Sequence, residues 1–157
     1  LLSYLPNSYE IINPLPLDGS SYASLAFNSE NQLFTIRDED GFLVEIDPLT
    51  GLEINSIPLK EYNQGGVQPQ DLAIDRDGNY YVLYTSSAEN AAVRIYDPSG
   101  FFMSSIGTLI SQPQSEWTEG SYFEPGAIAL TPDARYAFIV DGDGATYYLT
   151  CLLLRTD

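Results

Sequence analysis

The sequence predicts an all-β fold of β-propeller blades, each a sheet of four antiparallel strands, because one pattern occurs three times. Each copy opens with a short apolar strand, at 24–27, 71–74 and 127–130. A polar turn follows, and then an aromatic-rich strand at 32–36, 79–83 and 135–139. Self-similarity at a spacing of roughly 50 residues is typical of repeat architectures such as propellers. We therefore expect about three blades.

The predicted hairpin corners carry the residues that tight turns require. The third strands of the first two copies both end in Asp-Pro, at Asp47 and Asp97, and a Gly follows closely. Asp-Gly or Ser-Gly pairs stand at the corners, at 40–41, 77–78, 99–100 and 143–144. Gly adopts the positive φ of such corners without steric cost. No segment shows helical periodicity, so we expect no helix.

The strand order predicts one module over 1–157, with a last blade that lacks its own outer strand. Outer strands follow the first two copies at 52–59 and 101–106, and a near copy lies at 9–17. We expect residues 1–17 to join a neighbouring blade, and the three blades to occupy 18–60, 61–110 and 111–157.

Three blades leave a ring incomplete, because closed propellers have about four to eight. The chain is then part of a larger propeller, or copies of it complete one another. The expected partners are therefore protein, either copies of the chain or neighbouring blades. We expect the joining edges at Ile11 and Ile12 in the N-terminal strand and at Leu152 and Leu153 in the last strand.

The charge balance excludes two classes of partner. Lys and Arg number 6 against 22 Asp and Glu, giving a net charge of −16. Such a field repels nucleic acids and anionic lipid surfaces. No apolar run approaches the length of a membrane span, about 18 residues. Abundant Tyr and Asn with few Lys favour an extracellular or cell-surface protein.

The absence of His and the single Cys limit the available chemistry. Without His, a Ser-His-Asp mechanism is unavailable. Cys151 has no partner for an intrachain disulfide, and its apolar surroundings predict a buried thiol that packs as a small hydrophobe.

Two segments carry a resemblance to known propeller repeats. Segment 69–82, PQDLAIDRDGNYYV, with its continuation at 93–100, resembles the NHL repeat. Segment 125–139 is similar to the repeats of surface-layer propellers. The resemblance implies a propeller fold. Propellers of this type include binding scaffolds, sugar-lactone hydrolases and phytase-like esterases, so it leaves the activity open.

Three Asp-x-Asp-Gly segments, at 38–41, 75–78 and 141–144, are candidates for calcium binding. Alternating Asp residues supply the oxygen ligands that Ca²⁺ prefers, which makes Ca²⁺ the expected cofactor if one binds. The candidate ligands are Asp38, Asp40, Asp141 and Asp143. The alternative is that each segment is only a hairpin corner.

The chain also partly resembles the gluconolactonase and regucalcin family, which binds one divalent metal on the channel face. The resemblance implies metal-binding roles for Asp71 and Asp141. That family's Asn and Glu ligands would fall near Gly126 and Ser24, where this sequence departs from the pattern.

Two long loops, at 60–69 and 111–125, are the expected places for ligand or partner contacts. Gln64, Trp117 and Tyr122 are the candidate contact residues. The tyrosines at strand spacing are expected to pack in the core, and a carbohydrate platform is the alternative. They are Tyr80, Tyr81, Tyr84, Tyr147 and Tyr148.

These observations favour a non-enzymatic structural or protein-recognition module that assembles through its terminal strands. One alternative is a metal-dependent hydrolase of the lactonase or phosphoester type with carboxylate ligands on the channel face. Another is a propeller that binds a sugar or a peptide.

Overall fold

The computed structural model describes residues 21–59, 68–86, 90–111, 120–142 and 146–154. These ranges contain twelve strands and no helix, which confirms the predicted all-β class. Accordingly, the described residues include no helix that could cross a membrane. In chain order the strands are β1 (Tyr22–Phe27), β2 (Leu33–Arg37), β3 (Phe42–Ile46), β4 (Glu53–Pro58), β5 (Gln68–Ile74), β6 (Tyr80–Ser86), β7 (Ala91–Tyr96), β8 (Phe102–Leu109), β9 (Ser121–Tyr122), β10 (Ala127–Leu130), β11 (Tyr136–Gly142) and β12 (Tyr147–Leu153).

The strands form three sheets, here called blades 1, 2 and 3. Blade 1 has the order β1-β2-β3-β4, blade 2 the order β5-β6-β7-β8-β9, and blade 3 the order β10-β11-β12. Every pairing is antiparallel except that of β8 with β9. Strand β5 contacts both β1 and β10, so the first strands of the blades lie side by side. The predicted N-terminal strand, with Ile11 and Ile12, lies outside the described residues.

Two apolar clusters hold the three blades together, one at each junction between blades. The cluster between blades 1 and 2 contains Phe34, Ile36, Leu43, Leu59, Leu72, Tyr80, Val82, Tyr84 and Tyr96. The cluster between blades 2 and 3 contains Ala73, Tyr81, Leu83, Ala92, Val93, Ile95, Tyr122, Ile128 and Ile139. Burying one large apolar side chain contributes about 1.5–3 kcal/mol. Because blade 2 is covered on both faces, every residue of β7 is buried.

The turn between the first two strands of each blade uses a polar side chain at the same position. Asp75 Oδ1 accepts hydrogen bonds from the backbone N–H groups of Asp77 and Asn79, each at 2.9 Å. Asn28 does the same in blade 1, and Thr131 Oγ1 accepts one backbone N–H in blade 3. Asp75 therefore acts as a turn residue, as the hairpin-corner interpretation of segment 75–78 predicts.

The glycines of the predicted corners adopt the expected backbone conformation. Gly41, Gly78 and Gly100 have φ values of 71°, 83° and 79°. This is the left-handed region, where a side chain is unfavourable and Gly is not. The fourth predicted corner, at 143–144, lies outside the described residues.

The turn of blade 3 is one residue longer than the sequence repeat indicates. In blade 2 the turn closes between Asp75 N and Asn79 O, whereas in blade 3 it closes between Thr131 N and Tyr136 O. Ala134 takes up the extra residue at a φ of 52°. A shift of one residue moves a strand's side chains to the opposite face. An alignment of the repeats without a gap would match Tyr80 with Tyr136. In the structure the equivalent of Tyr80 is Ala137.

Part of the prediction for the tyrosines and for Cys151 was wrong. Tyr80, Tyr81 and Tyr84 are buried in the blade junctions, as expected. Cys151 is exposed, and so are the two tyrosines that begin β12, at 147 and 148. Cys151 pairs with Phe138 on a face of blade 3 that no blade covers in the described part of the chain.

Strand β9 is a feature that the sequence did not predict. It runs parallel to the end of β8, where Thr108 pairs with Ser121 and Leu109 with Tyr122. Tyr122 then packs its ring over Gly107, which has a φ of 72°. A Cβ atom at Gly107 would lie only 2.4 Å from Cε2 of that ring. Glycine is thus required at this position both for its backbone and for its missing side chain.

Replacing Gly107 by Ala should therefore destabilise the protein by about 2–4 kcal/mol, since left-handed strain and overpacking act together. Gly120→Ala is the matched control, because Gly120 has a φ of 77° but no atom within 4 Å of an added Cβ. It should cost about 1 kcal/mol from backbone strain alone. The measurement is urea unfolding, and equal costs for the two variants would contradict the proposed role of the Tyr122 ring.

Candidate functional site

Asp71 is the residue through which hydrogen bonds link all three blades. It lies in β5, between β1 and β10. Its Oδ1 accepts a hydrogen bond from Ser24 Oγ in blade 1. Its Oδ2 accepts the backbone N–H of Ile128 in blade 3, at 2.8 Å. Hydrogen bonds to a carboxylate are roughly twice as strong as bonds between neutral groups. One side chain of blade 2 thus joins both of its neighbours.

Ser24 reaches Asp71 because β1 is irregular at this point. The register of β1 with β2 shifts between Ala23 and Ala26, which marks a bulge. Ser24 lies in that bulge with a φ of 58°, an uncommon value for a residue other than Gly. Thr35 Oγ1, in the neighbouring strand β2, donates a hydrogen bond of 2.7 Å to the Ser24 carbonyl and so stabilises the bulge. The bulge redirects one side chain toward the next blade.

Asp141, the second candidate metal ligand, holds the segment that leads into blade 3. Its carboxylate is buried and accepts the backbone N–H groups of Phe123, at 3.1 Å, and Glu124, at 2.9 Å. These N–H groups would otherwise lack a partner in β-structure, because they fall between β9 and β10. The contacts of Asp141 are those of a carboxylate that anchors a loop.

The described carboxylates do not assemble a calcium centre. Ca²⁺ takes six to eight oxygen ligands, so several carboxylates usually converge on it. No group of three His, Cys, Asp or Glu side chains comes together within the described ranges. The oxygens of Asp71 and Asp141 already accept hydrogen bonds from the protein. Asp143 lies outside the described residues.

Asp40, another candidate ligand, forms an ion pair instead. Arg37 lies 3.0 Å from Asp40 and 2.8 Å from Glu53, between the two carboxylates. The hydrogen bond from Arg37 lowers the pKa of Asp40, and the same bond raises the pKa of Arg37. Asp38 is exposed and directly follows β2. The segment 38–41 therefore closes a hairpin in which Asp40 pairs with the guanidinium group of Arg37.

Of the three candidate contact residues, Tyr122 lies in the described part of the chain. Tyr122 is fully buried between blades 2 and 3, so its ring is not available to an external partner in this packing. Gln64 and Trp117 lie outside the described residues. The two long loops therefore supply no described binding surface.

Exposed apolar residues also lie on the outward faces of the two end blades. We call the side of a blade toward the preceding blade its front face, and the opposite side its rear face. On the front face of blade 1, Leu25 is 65% exposed beside a groove of about 480 Å³. Leu33, Thr35 and Ile46 also line that groove. Thr35 and Ile46 are nevertheless buried, so this face is only partly exposed.

The rear face of blade 3 is also apolar and open. Leu149, in β12, is 68% exposed. Leu153, one of the predicted joining residues, lies on this face and is exposed. Leu152, the other, points to the opposite side and packs in the cluster between blades 2 and 3. The sequence signal for this face is the segment 147–154, in which Thr150 is the one residue that is clearly polar. A half-buried strand would alternate apolar with polar residues.

Comparison with known proteins gives the fold. No family model matches the sequence, and no curated protein sequence matches it either. Three solved structures resemble the chain. The Dos1 propeller has a TM-score of 0.58 at 14% identity, over 84% of this chain and 34% of that one. A gluconolactonase from Xanthomonas campestris has a TM-score of 0.54 at 15% identity, over 85% of this chain and 38% of that one. A protein of unknown function from Bacteroides caccae has a TM-score of 0.55 at 12% identity, over 89% of this chain and 47% of that one.

These similarities confirm the β-propeller fold that the repeat pattern predicted. The chain spans less than half the length of each of the three structures. At identities of 12–15% these similarities show the fold alone and carry no information about activity.

Replacing Asp71 by Ala should lower the free energy of unfolding by about 2–4 kcal/mol, because the buried N–H of Ile128 loses its acceptor. Asp71→Asn keeps one acceptor oxygen and should cost less. Glu30→Ala, in an exposed turn, is the control and should stay within about 0.5 kcal/mol. Urea unfolding measures all three, and an Asp71→Ala variant as stable as the control would refute the bridge.

The Asp40 ion pair should make stability depend on pH in acid. Since its pKa is lower in the folded chain, the pair stabilises the fold above the unfolded value of about 3.9. That contribution disappears as the pH falls through the folded pKa. Asp40→Asn should therefore cost roughly 0.5–1 kcal/mol at pH 7, a small figure because solvent screens the pair. The difference from the parent should vanish near pH 2.

Thermal melts between pH 2 and 7 measure this dependence. Asp77→Asn is the matched control, since Asp77 lies in an exposed pair with Arg76 at 3.8 Å. A parent-to-variant difference that stays constant down to pH 2 would show that Asp40 acts by packing and not by charge.

Proposed function

We propose that this chain is a non-enzymatic propeller module that acts through protein assembly, as a structural or recognition element. The observation that carries the proposal is the open apolar rear face of blade 3, together with the exposed Leu25 on the front face of blade 1. Leu25 on blade 1 and Leu149 on blade 3 are more than half exposed, although their equivalents inside the module are buried. Surfaces of this kind mark protein–protein interaction sites.

The contacts of the polar residues support the same proposal. Asp71 and Asp141, the two carboxylates that a lactonase-like site would use, hold blades and loops in place. Their oxygens point at backbone N–H groups of the protein itself. A role in structure accounts for both residues without an additional ligand.

We also propose an extracellular or cell-surface location. The net charge of −16 and the low content of Lys support it, because such a surface stays soluble and avoids anionic partners.

The metal-dependent hydrolase is the second candidate function. It is supported by the fold likeness to the gluconolactonase from Xanthomonas campestris, whose full length is more than twice what this chain covers. In that function Asp71 and Asp141 would be the ligands, and their present hydrogen bonds would have to be exchanged for bonds to the cation.

The two functions are separated by melting the protein with Ca²⁺ and with a chelator. We expect the same melting temperature in both, and no hydrolysis of a sugar lactone above the buffer rate. A ligand at 100 times its dissociation constant would add about 2.7 kcal/mol, which shifts the melting temperature by several degrees. Such a shift, lost in Asp141→Asn and joined by lactone turnover, would overturn the non-enzymatic proposal.

A further inference from the structure

The front face of blade 1 is buried over its two middle strands and exposed at its first strand. Thr35 in β2 is 1% exposed, and Val44 and Ile46 in β3 are 0% and 4% exposed, whereas Leu25 in β1 is open to solvent. The residues on both sides of Thr35, and the residue before Val44, pack in the cluster between blades 1 and 2. Because side chains alternate along a strand, Thr35, Val44 and Ile46 point the other way, to the front.

The packing of the described strands does not account for this burial. Neither apolar cluster between the blades contains Val44 or Ile46, and the main contacts of β3 are with β2 and β4 of its own sheet. A face that is open looks different in this molecule: Val140, in the middle strand of blade 3, is 38% exposed on the rear face. The front face of blade 1 therefore has a cover that comes from outside the described strands.

Residues 12–17 repeat the sequence of a segment whose contacts are described. The sequence INPLPL at 12–17 matches INSIPL at 54–59, with four of the six residues identical. The second of these segments forms the end of β4 and the residue after it. Its Ile57 and Leu59 pack in the cluster between blades 1 and 2, against the front face of blade 2. The counterparts of these two residues in the first segment are Leu15 and Leu17.

Two equivalent glycines point to the same contact on blade 1. In blade 2 the end of β4 covers Gly100, since an added Cβ there would lie 2.4 Å from Pro58 O and 2.9 Å from Ile57 Cγ2. Gly51 occupies the equivalent turn of blade 1, with a φ of 73° against 79°. Gly51 is buried as well, although the residues on both sides of it are exposed. It thus has the burial that a segment like the end of β4 produces.

We propose that residues 12–17 of the same chain pack against β2 and β3 on the front face of blade 1, as residues 54–59 pack on the front face of blade 2. A single segment explains why the burial is partial. In blade 2 the equivalent of Leu25 is Leu72, which is buried because the strands of a whole blade lie against it. The inference goes beyond the assembly function, because it concerns a contact within one chain.

The segment reaches this face without a second copy of the chain. Leu17 is five residues before Tyr22, where β1 begins, and five extended residues span roughly 17 Å. Neighbouring strands are about 4.8 Å apart, so β3 lies roughly 10 Å from β1. A tethered segment acts at an effective concentration in the millimolar range, which favours the chain's own residues over those of another copy.

The reactivity of a thiol at position 44 tests the cover. In a Cys151→Ser chain, Val44→Cys places the only thiol on the front face of blade 1. Its thiolate attacks an aromatic disulfide reagent, which gives a mixed disulfide and one released aromatic thiolate whose absorbance is followed. We expect Leu15→Asp together with Leu17→Asp to raise the rate about 10-fold or more, because two charges disfavour the apolar contact and open the face.

Ile12→Asp is the matched control within the same segment. Its counterpart in β4, Ile54, is 60% exposed, so this variant should leave the thiol at position 44 protected. Val82→Cys reports on the fold itself, since Val82 is fully buried between blades 1 and 2 and its thiol should stay protected in every variant. A thiol at position 44 that is equally protected with and without the two Asp residues would overturn the proposal.

Methyl NOEs in the unmodified chain identify the cover without any substitution, and so decide the matter even if the double variant fails to fold. We expect NOEs from Leu15 or Leu17 to Val44 and Ile46. NOEs to Val44 from the loop at 60–67 in their place would overturn the proposal. So would NOEs between chains in an equal mixture of labelled and unlabelled protein, because they would assign the contact to a second copy. The calcium and lactone measurements decide the proposed function independently.

Discussion

The hydrogen bonds of Asp71 are the constraint on which the arrangement of the blades depends. Apolar packing between sheets is not directional, and it alone permits neighbouring blades to slide. The Asp71 carboxylate accepts hydrogen bonds from Ser24 Oγ on one side and from the N–H of Ile128 on the other. These bonds fix the positions of blades 1 and 3 relative to blade 2. The bulge in β1 makes one of these hydrogen bonds possible, because it turns Ser24 toward blade 2. Ser24 and Asp71 open the first two repeats, and the hydrogen bond between them gives each a structural role.

The fold was predictable from the sequence because its determinants are local and repeated. Gly78 and Gly100 mark their corners through their backbone freedom, and the alternation of aromatic residues marks strands that face two clusters. The register of β11 was not predictable, because the extra residue at Ala134 leaves the apolar pattern of the strand unchanged. Strand β9 was missed since two residues cannot show a period.

The candidate site was harder to predict than the fold, because carboxylates serve metals and backbone N–H groups equally well. The type and spacing of Asp71 and Asp141 fit either role, and only the positions of Ile128 N and Phe123 N assign them. Conversely, the open faces of the end blades consist of ordinary core residues such as Leu25 and Leu149. Such residues carry no signal in the sequence that distinguishes a covered face from an exposed one.

Strand β9 makes the coupling between the blades unequal. Backbone hydrogen bonds of its segment run to the end of β8, at 2.7 Å from Thr108 N to Gly120 O and 2.8 Å from Ile110 N to Tyr122 O. The next residues along the chain are fixed to blade 3 by Asp141. Segment 120–124 therefore ties blade 2 to blade 3, through its backbone pairing with β8 and through the Asp141 carboxylate, whereas blades 1 and 2 are joined in the described part by side-chain hydrogen bonds and apolar packing. Local opening follows such couplings, so we expect the amides of segment 120–124 to exchange together with those at the end of β8, and the opening of blade 3 to involve blade 2.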